Sequence, residues 1–264
     1  MTTTPAAERW RSELAGWAIP EEIIARAPEP PWGFPPELWG HSHDANPDTT
    51  SRRRALEALE RLPGGAGTVL DVGCGGGRAS LTLHPHVTAV TGVDAHEGML
   101  GSFDDAATSL RIEHRSVLGS WPAVAQGDAI ELADVVVCHH VAYNVPDLGD
   151  FVTALAAHAR ERVVMEVTAT HPMVATAPLW KQFHDLDRPS GPNAELAVAV
   201  LREIGIQPNV EMFTNPRHPV DRAVIVSFNR KRLCLPPDRD AEVDDALGDS
   251  PGKPRDMVTL WWDV

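Results

Sequence analysis

The chain has 264 residues, 43% apolar and 23% charged, with a formal net charge of -14. That balance describes one globular core with added segments, long enough to bury most of its apolar surface without metal or disulfide staples. The acidity excludes nucleic acid as the main partner, because phosphate binding needs a basic face, and the three scattered cysteines, Cys74, Cys138 and Cys234, form no dithiol or zinc motif and fit a reducing compartment.

The first residues show no basic stretch followed by an apolar one, and no apolar run approaches about 18 residues. Neither secretion nor a membrane partner is expected, and the cytoplasm is the default location. Residues 1–50 hold Trp10, Trp17, Trp32 and Trp39 among many prolines. The run from Pro28 to Pro36 cannot be a long helix, since proline lacks the donor and clashes with the preceding turn. Short helices fit Glu8 to Trp17 and Pro20 to Arg26. Indoles in such a segment need a surface, so residues 1–50 are expected to be an arm or lid over the core. Trp32 and Phe34 would face a bound substrate or its entrance.

Thr50 to Leu62 reads as a helix with Ala55, Leu56, Leu59 and Leu62 on one face, capped by Thr50 or Ser51. Strands and helices then alternate. Thr68 to Val72 is a strand, and Arg78 to Leu83 a short helix. Val87 to Val93 is a second strand, closed by Asp94, and His96 to Leu110 a helix. Strands follow at Arg111 to Val117 and Asp134 to Cys138, then a helix at Asp147 to Arg160 and a strand at Arg162 to Val167. Asn193 to Ile204 is a helix closed by Gly205. Val210 to Phe213 and Ala223 to Phe228 read as late strands. The segment 236–264 is a polar tail whose apolar end, Val258 to Trp262, docks. Such alternation implies an α/β fold: a Rossmann-like, doubly wound, mostly parallel sheet. The core domain is expected to span 51–235, with a substrate-shaping insertion at about 168–192.

The decisive segment is Thr68-Val69-Leu70-Asp71-Val72-Gly73-Cys74-Gly75-Gly76-Gly77-Arg78. Glycines between a buried strand and a helix start let the backbone turn tightly and approach a ligand. Their spacing, Gly73-x-Gly75-x-Gly77, is not the G-x-G-x-x-G of dinucleotide enzymes. Asp71 would repel a pyrophosphate, yet it suits a ligand carrying an ammonium and a sulfonium, such as S-adenosylmethionine (SAM). Asp94 closes the second strand, where a carboxylate accepts both hydroxyls of a ribose.

Leu70 to Gly77 resembles motif I of the class I SAM-dependent methyltransferases. Val93-Asp94, with Met99-Leu100 after it, resembles the second motif, and Asp134 to Val141 followed by Val145-Pro146-Asp147 resembles the post-strand-four motif of the small-molecule branch. The resemblance covers roughly residues 50–230. It implies a seven-stranded sheet with its last strand antiparallel, SAM as cofactor and a small-molecule methyl acceptor. Asp71, Gly73, Cys74, Gly75, Gly77, Asp94, Ala95, Met99 and His139 then form the cofactor site. The family places an Asp after strand three against the adenine; here Ser120 takes that position, with Trp121 or Leu118 against the ring.

Methyl transfer needs a nucleophile aligned opposite the sulfur, and a hydroxyl or amine acceptor draws on a base. His139 and His140 directly follow strand four, and imidazole titrates near neutrality. His140 is preferred as the base, with Tyr143 and Asn144 orienting the acceptor. His171 at the pocket rim and His184 are further base candidates. Trp180 is a substrate contact, although packing explains it and Phe183 more readily. Twelve histidines include no cluster with familiar ligand spacing, so no metal is expected. The competing functions are a nicotinamide-dependent oxidoreductase, which the glycine spacing and Asp71 oppose, and a noncatalytic SAM-binding protein. The residues name neither the acceptor nor an oligomeric state.

Overall fold

The structure is a computed structural model that describes residues 4–32, 48–126, 130–215, 220–249 and 254–264. Seven strands form one sheet in the order β3-β2-β1-β4-β5-β7-β6. They are β1 Gly67–Val72, β2 Val87–Asp94, β3 Glu113–Leu118, β4 Ala133–His139, β5 Ala159–Thr168, β6 Asn209–Asn215 and β7 Arg255–Asp263. The first five run parallel, and β7 lies antiparallel between β5 and β6.

The central strands are continuous apolar runs because both of their faces are covered. Along β4, Val135 and Val137 enter one buried cluster while Val136 and Cys138 enter the other. Helices α1 Pro5–Ala15, α5 Leu148–Ala157 and α7 Ala194–Glu203 cover one face; α3 Thr50–Glu60 and α4 Glu97–Leu110 cover the other. A third cluster joins three distant stretches: Ile19, beside α2 Glu21–Ile24; Leu179 and Trp180 on α6 Ala177–His184; and Val226, Leu233, Val243 and Leu247 on or beside α8 Arg222–Arg232 and α9 Asp240–Leu247. This helical cap is rooted at the C-terminal end of β5. Among the described residues no helix is long and apolar enough to cross a membrane.

Several expectations need correction. The strand read at Ala223 to Phe228 is helix α8, whose first turn is capped by the Asp221 carboxylate accepting from the Ala223 N–H at 2.8 Å. Arg230, Lys231 and Arg232 crowd its last turn, where cations favour a helix. The seventh strand is β7, from the segment read as a tail, so the sheet extends past residue 235. Helix α3 is capped by Thr49, not by Thr50 or Ser51. Arg78 to Leu83 holds turns and one 3-10 turn, Leu81–Leu83, rather than a helix. The fifth strand begins at Ala159, which shortens the preceding helix.

The arm does pack on the core. Trp10 is fully buried, donates its indole N–H to the Val145 carbonyl at 2.8 Å and stacks on Tyr143. Trp17 donates to the Gly191 carbonyl at 2.6 Å.

Candidate active site

The glycine loop lies at the C-terminal end of β1. Gly73, Gly75 and Gly77 all have positive φ, at 71°, 52° and 84°, a region that disfavours side chains. They differ in what surrounds them. A Cβ on Gly73 would meet Val141 Cγ2 at 2.2 Å, and one on Gly77 would meet Leu81 Cδ1 at 2.5 Å, whereas one on Gly75 would meet nothing within 4 Å. Gly73 and Gly77 therefore serve packing, and Gly75 is where the loop opens. The Gly73 and Cys74 N–H groups both donate to the Val93 carbonyl, which ties the loop to β2. The Cys74 side chain is buried beneath the loop, where desolvation raises its thiol pKa, so only its backbone faces the site.

Asp71 differs from its expected place against a ligand ammonium. It is wholly buried under the loop, and its Oδ2 accepts from Ser80 Oγ at 2.6 Å. Burial pushes its carboxyl up to about 7, against the lowering effect of Ser80. Its Oδ1 has no hydrogen-bond partner among the described residues. Asp94 stands at the loop rim: Oδ2 accepts from the Gly75 N–H and Oδ1 from the His96 N–H, each at 2.9 Å. Each ionised oxygen retains a second lone pair for a ligand hydroxyl. The open space at Gly75 with an acid beside it fits the sugar and methionine portions of SAM.

Ala95 is exposed and Met99 half-buried at the start of α4, on the same rim. Leu118 and Ser120 are exposed after β3. Trp121 is not free to lie over this rim. Its indole donates to the Phe151 carbonyl at 3.2 Å and its ring meets His158 edge-on, so it is tied to α5.

The end of β4 carries two adjacent histidines. His139 pairs in register with Glu166 on β5. Burial lowers His139 to about 4, against the attraction of Glu166, and its Nε2 has no hydrogen-bond partner among the described residues. His140 is a non-glycine residue with φ of 63°, a conformation that persists only where surrounding structure imposes it. Its N–H donates to the Glu166 carbonyl at 2.8 Å, and its Nε2 lies 3.1 Å from Glu166 Oε1. Its side chain is 42% exposed, whereas that of Glu166 is 5% exposed. The second Glu166 oxygen, Oε2, accepts from Ser51 Oγ on α3. Burial alone would raise the Glu166 carboxyl; the field of His139 and the bonds from His140 and Ser51 outweigh it and hold it down at about 2.

Glu166 and Ser51 were not among the residues expected at the site. The available signal was a lone acid within the apolar run Val163-Val164-Met165-Glu166-Val167.

Other expected residues serve packing. Tyr143 is buried, donates its hydroxyl to the Thr168 carbonyl at 2.6 Å and has its pKa raised by burial, so it does not orient an acceptor. His171 is not at a rim: it is buried, stacked on Trp17 at 4.4 Å, and desolvation lowers it to about 4. His184 Nε2 is hydrogen-bonded to the Leu233 carbonyl at 2.7 Å, and Trp180 is buried beneath the Arg188 guanidinium. Neither presents a free face to an acceptor. Asn144 is exposed and lines a shallow groove with Trp121, Pro122 and Asp150. Trp32 is 57% exposed under Arg232 of α8, and Phe34 lies outside the described residues. Among the described residues no three His, Cys, Asp or Glu side chains gather as a metal ion requires.

No curated protein matches the sequence. Residues 47–197, more than half of the chain, match a family model described as a methyltransferase domain. Among solved structures the chain is similar to a candidate methyltransferase of Bacillus halodurans C-125, with a TM-score of 0.56 and 15% identity over 81% of this chain and 99% of that one. It is also similar to a SAM-dependent methyltransferase of Thiobacillus denitrificans solved with S-adenosyl-L-homocysteine, with a TM-score of 0.52 and 16% identity over 92% and 98% of the two chains. A candidate sarcosine dimethylglycine methyltransferase of Galdieria sulphuraria has a TM-score of 0.52 at 14% identity, covering 81% and 82%. At these identities the likeness to the solved structures is one of fold.

Proposed function

We propose that this chain, which belongs to the class I SAM-dependent methyltransferases, methylates a hydroxyl or amine of a small organic molecule, with His140 as the base. SAM is the family's cofactor, and when bound it supplies an electrophilic methyl group. The chain's own residues would hold it from two sides: the loop backbone at Gly73 to Gly77, and Asp94 with Ala95 and Met99 at the rim.

The observation that carries the proposal is the placement of His140. It is the exposed member of a close pair with Glu166, Nε2 to Oε1 3.1 Å, and follows the strand whose next loop, at Val141, touches Gly73. An ionised carboxylate only accepts hydrogen bonds, so a ring proton on His140 is directed to Glu166 from Nε2, and in the neutral imidazole that leaves Nδ1 bare. Nδ1 is then the atom that takes the proton from the acceptor's O–H or N–H and releases it to water. Such a base contributes about 10²–10⁴ in rate. Of the residues expected to act on the acceptor's proton, Tyr143, His171 and His184 are engaged in packing and His139 is buried, whereas the His140 side chain is 42% exposed.

The test is transfer of labelled methyl from SAM to a panel of small phenols, alcohols and amines, with SAM affinity measured by calorimetry. Turnover on at least one oxygen or nitrogen acceptor supports the reading. SAM binding with methylation confined to carbon acceptors overturns it, and binding without turnover on any acceptor points to a noncatalytic SAM-binding protein.

A further inference from the structure

We propose that Glu166, braced by Ser51, is a positioning residue that fixes both the orientation and the tautomer of His140. The inference rests on the reading of His140 as the base. Two contacts tie His140 to this one residue: its backbone N–H donates to the Glu166 carbonyl, and its ring Nε2 lies 3.1 Å from the carboxylate Oε1. The left-handed backbone of His140 is what lets both form, because it turns the chain back over the end of β5.

A carboxylate holding one imidazole could still rotate about its last torsion. Ser51 prevents this by donating to the second oxygen. Ser51 is fully buried in the first turn of α3, and its Oγ lies 3.1 Å from Thr49 Oγ1, the helix cap. The brace therefore runs from the helix cap through Ser51 and Glu166 to the ring. His139, the cross-strand neighbour of Glu166, has an Nε2 that makes no hydrogen bond among the described residues and does not compete for the carboxylate. A buried charge destabilises a strand unless it is paired, and apolar residues of similar size often pack better. Placing an acid here is explained by what it does to the exposed imidazole.

The test needs no acceptor. Imidazole N–H protons normally exchange with water too fast to observe; one held by a buried carboxylate is protected. In full-length protein labelled with 15N-histidine, we expect a downfield ring N–H signal on Nε2 that disappears in His140→Gln, which assigns it. Glu166→Gln should speed its exchange ten- to a hundredfold, the scale of a lost charge-assisted hydrogen bond. Ser51→Ala should speed it about fivefold, the scale of a neutral one. Affinity for S-adenosylhomocysteine should stay within about twofold of wild type in both variants, since neither residue is at the glycine loop. Unchanged exchange in folded Glu166→Gln, or a wild-type proton on Nδ1, overturns the proposal. If Glu166→Gln does not fold, unchanged exchange in Ser51→Ala overturns it. A protected signal together with wild-type turnover in His140→Ala would instead sink the base and leave the brace standing.

Discussion

Val141 stands where a side chain on Gly73 would have to go, with its Cγ2 2.2 Å from the position of a Cβ. The glycine loop and the loop bearing His139 and His140 are thus in direct contact, so a ligand cradled by one is brought beside the other. Gly75, two residues on, faces open space. We expect Gly73→Ala to lower stability by about 1–3 kcal/mol through overpacking. Gly75→Val should leave a folded protein, strained by about 1–2 kcal/mol at its left-handed φ, that no longer binds SAM. Denaturant unfolding and calorimetry separate the two effects; SAM affinity retained in Gly75→Val would remove Gly75 from the site.

Asp94 joins loop to rim by accepting from the N–H groups of Gly75 and His96. Asp94→Ala is expected to weaken SAM binding by about 1–3 kcal/mol, the scale of a lost bond to a charged group and of the freed loop N–H. Titration calorimetry on the variant measures it, and unchanged affinity would show that Asp94 only shapes the loop.

The sequence reads the arm as a lid over the core. Its burial changes that expectation. Trp10 is fully enclosed against Tyr143, and its indole N–H satisfies the Val145 carbonyl. Trp10→Ala should lower stability by about 3–5 kcal/mol, and truncation should expose the α5 and α7 faces. A denaturation midpoint equal to wild type in Trp10→Ala would show that the arm is dispensable for folding.

His171 makes acid lability testable. Its ordinary value is 6.5, and burial takes it to about 4 in the folded chain. Between those values the unfolded chain holds a proton that the folded chain refuses. Stability from this source is therefore full above about pH 6.5, falls as pH drops towards about 4, and levels off below. The whole window is worth at most about 3 kcal/mol. His171→Phe keeps a ring against Trp17 and should flatten the fall in unfolding free energy between those pH values. His139, also lowered to about 4, acts in the same direction, and Asp71, raised to about 7, acts in the opposite one, so the readout is the difference between variant and wild type. An equally steep fall in the variant would assign the effect elsewhere.

The parallel half of the fold was legible because β1, β2, β4 and β5 are apolar runs set between helices and glycines. The antiparallel end was not. Ala223-Val224-Ile225-Val226 is an apolar run that period alone cannot assign to strand or helix, and the Asp221 cap decided it. The apolar run Val258 to Trp262 carried the signal of a buried strand, but its distance from the other strands made it read as a docked tail. The glycine loop and Asp94 were legible from spacing, since their partners are local. The tyrosine and histidine roles were not, because Trp10 and Trp17 arrive from the arm to cover Tyr143 and His171. The pairing of His140 with Glu166 depends on the register of β4 against β5 and on one left-handed residue, neither of which a linear pattern encodes.

The account turns on His140 as the exposed base beside the loop. The most direct measurement is labelled methyl transfer by wild type and His140→Ala on an oxygen or nitrogen acceptor that the wild type methylates, with SAM affinity measured on both. We expect kcat to fall about 10²–10⁴-fold at unchanged SAM affinity, with partial recovery at high pH for an acceptor hydroxyl that ionises. Wild-type kcat in His140→Ala would contradict the assignment and leave transfer to positioning alone.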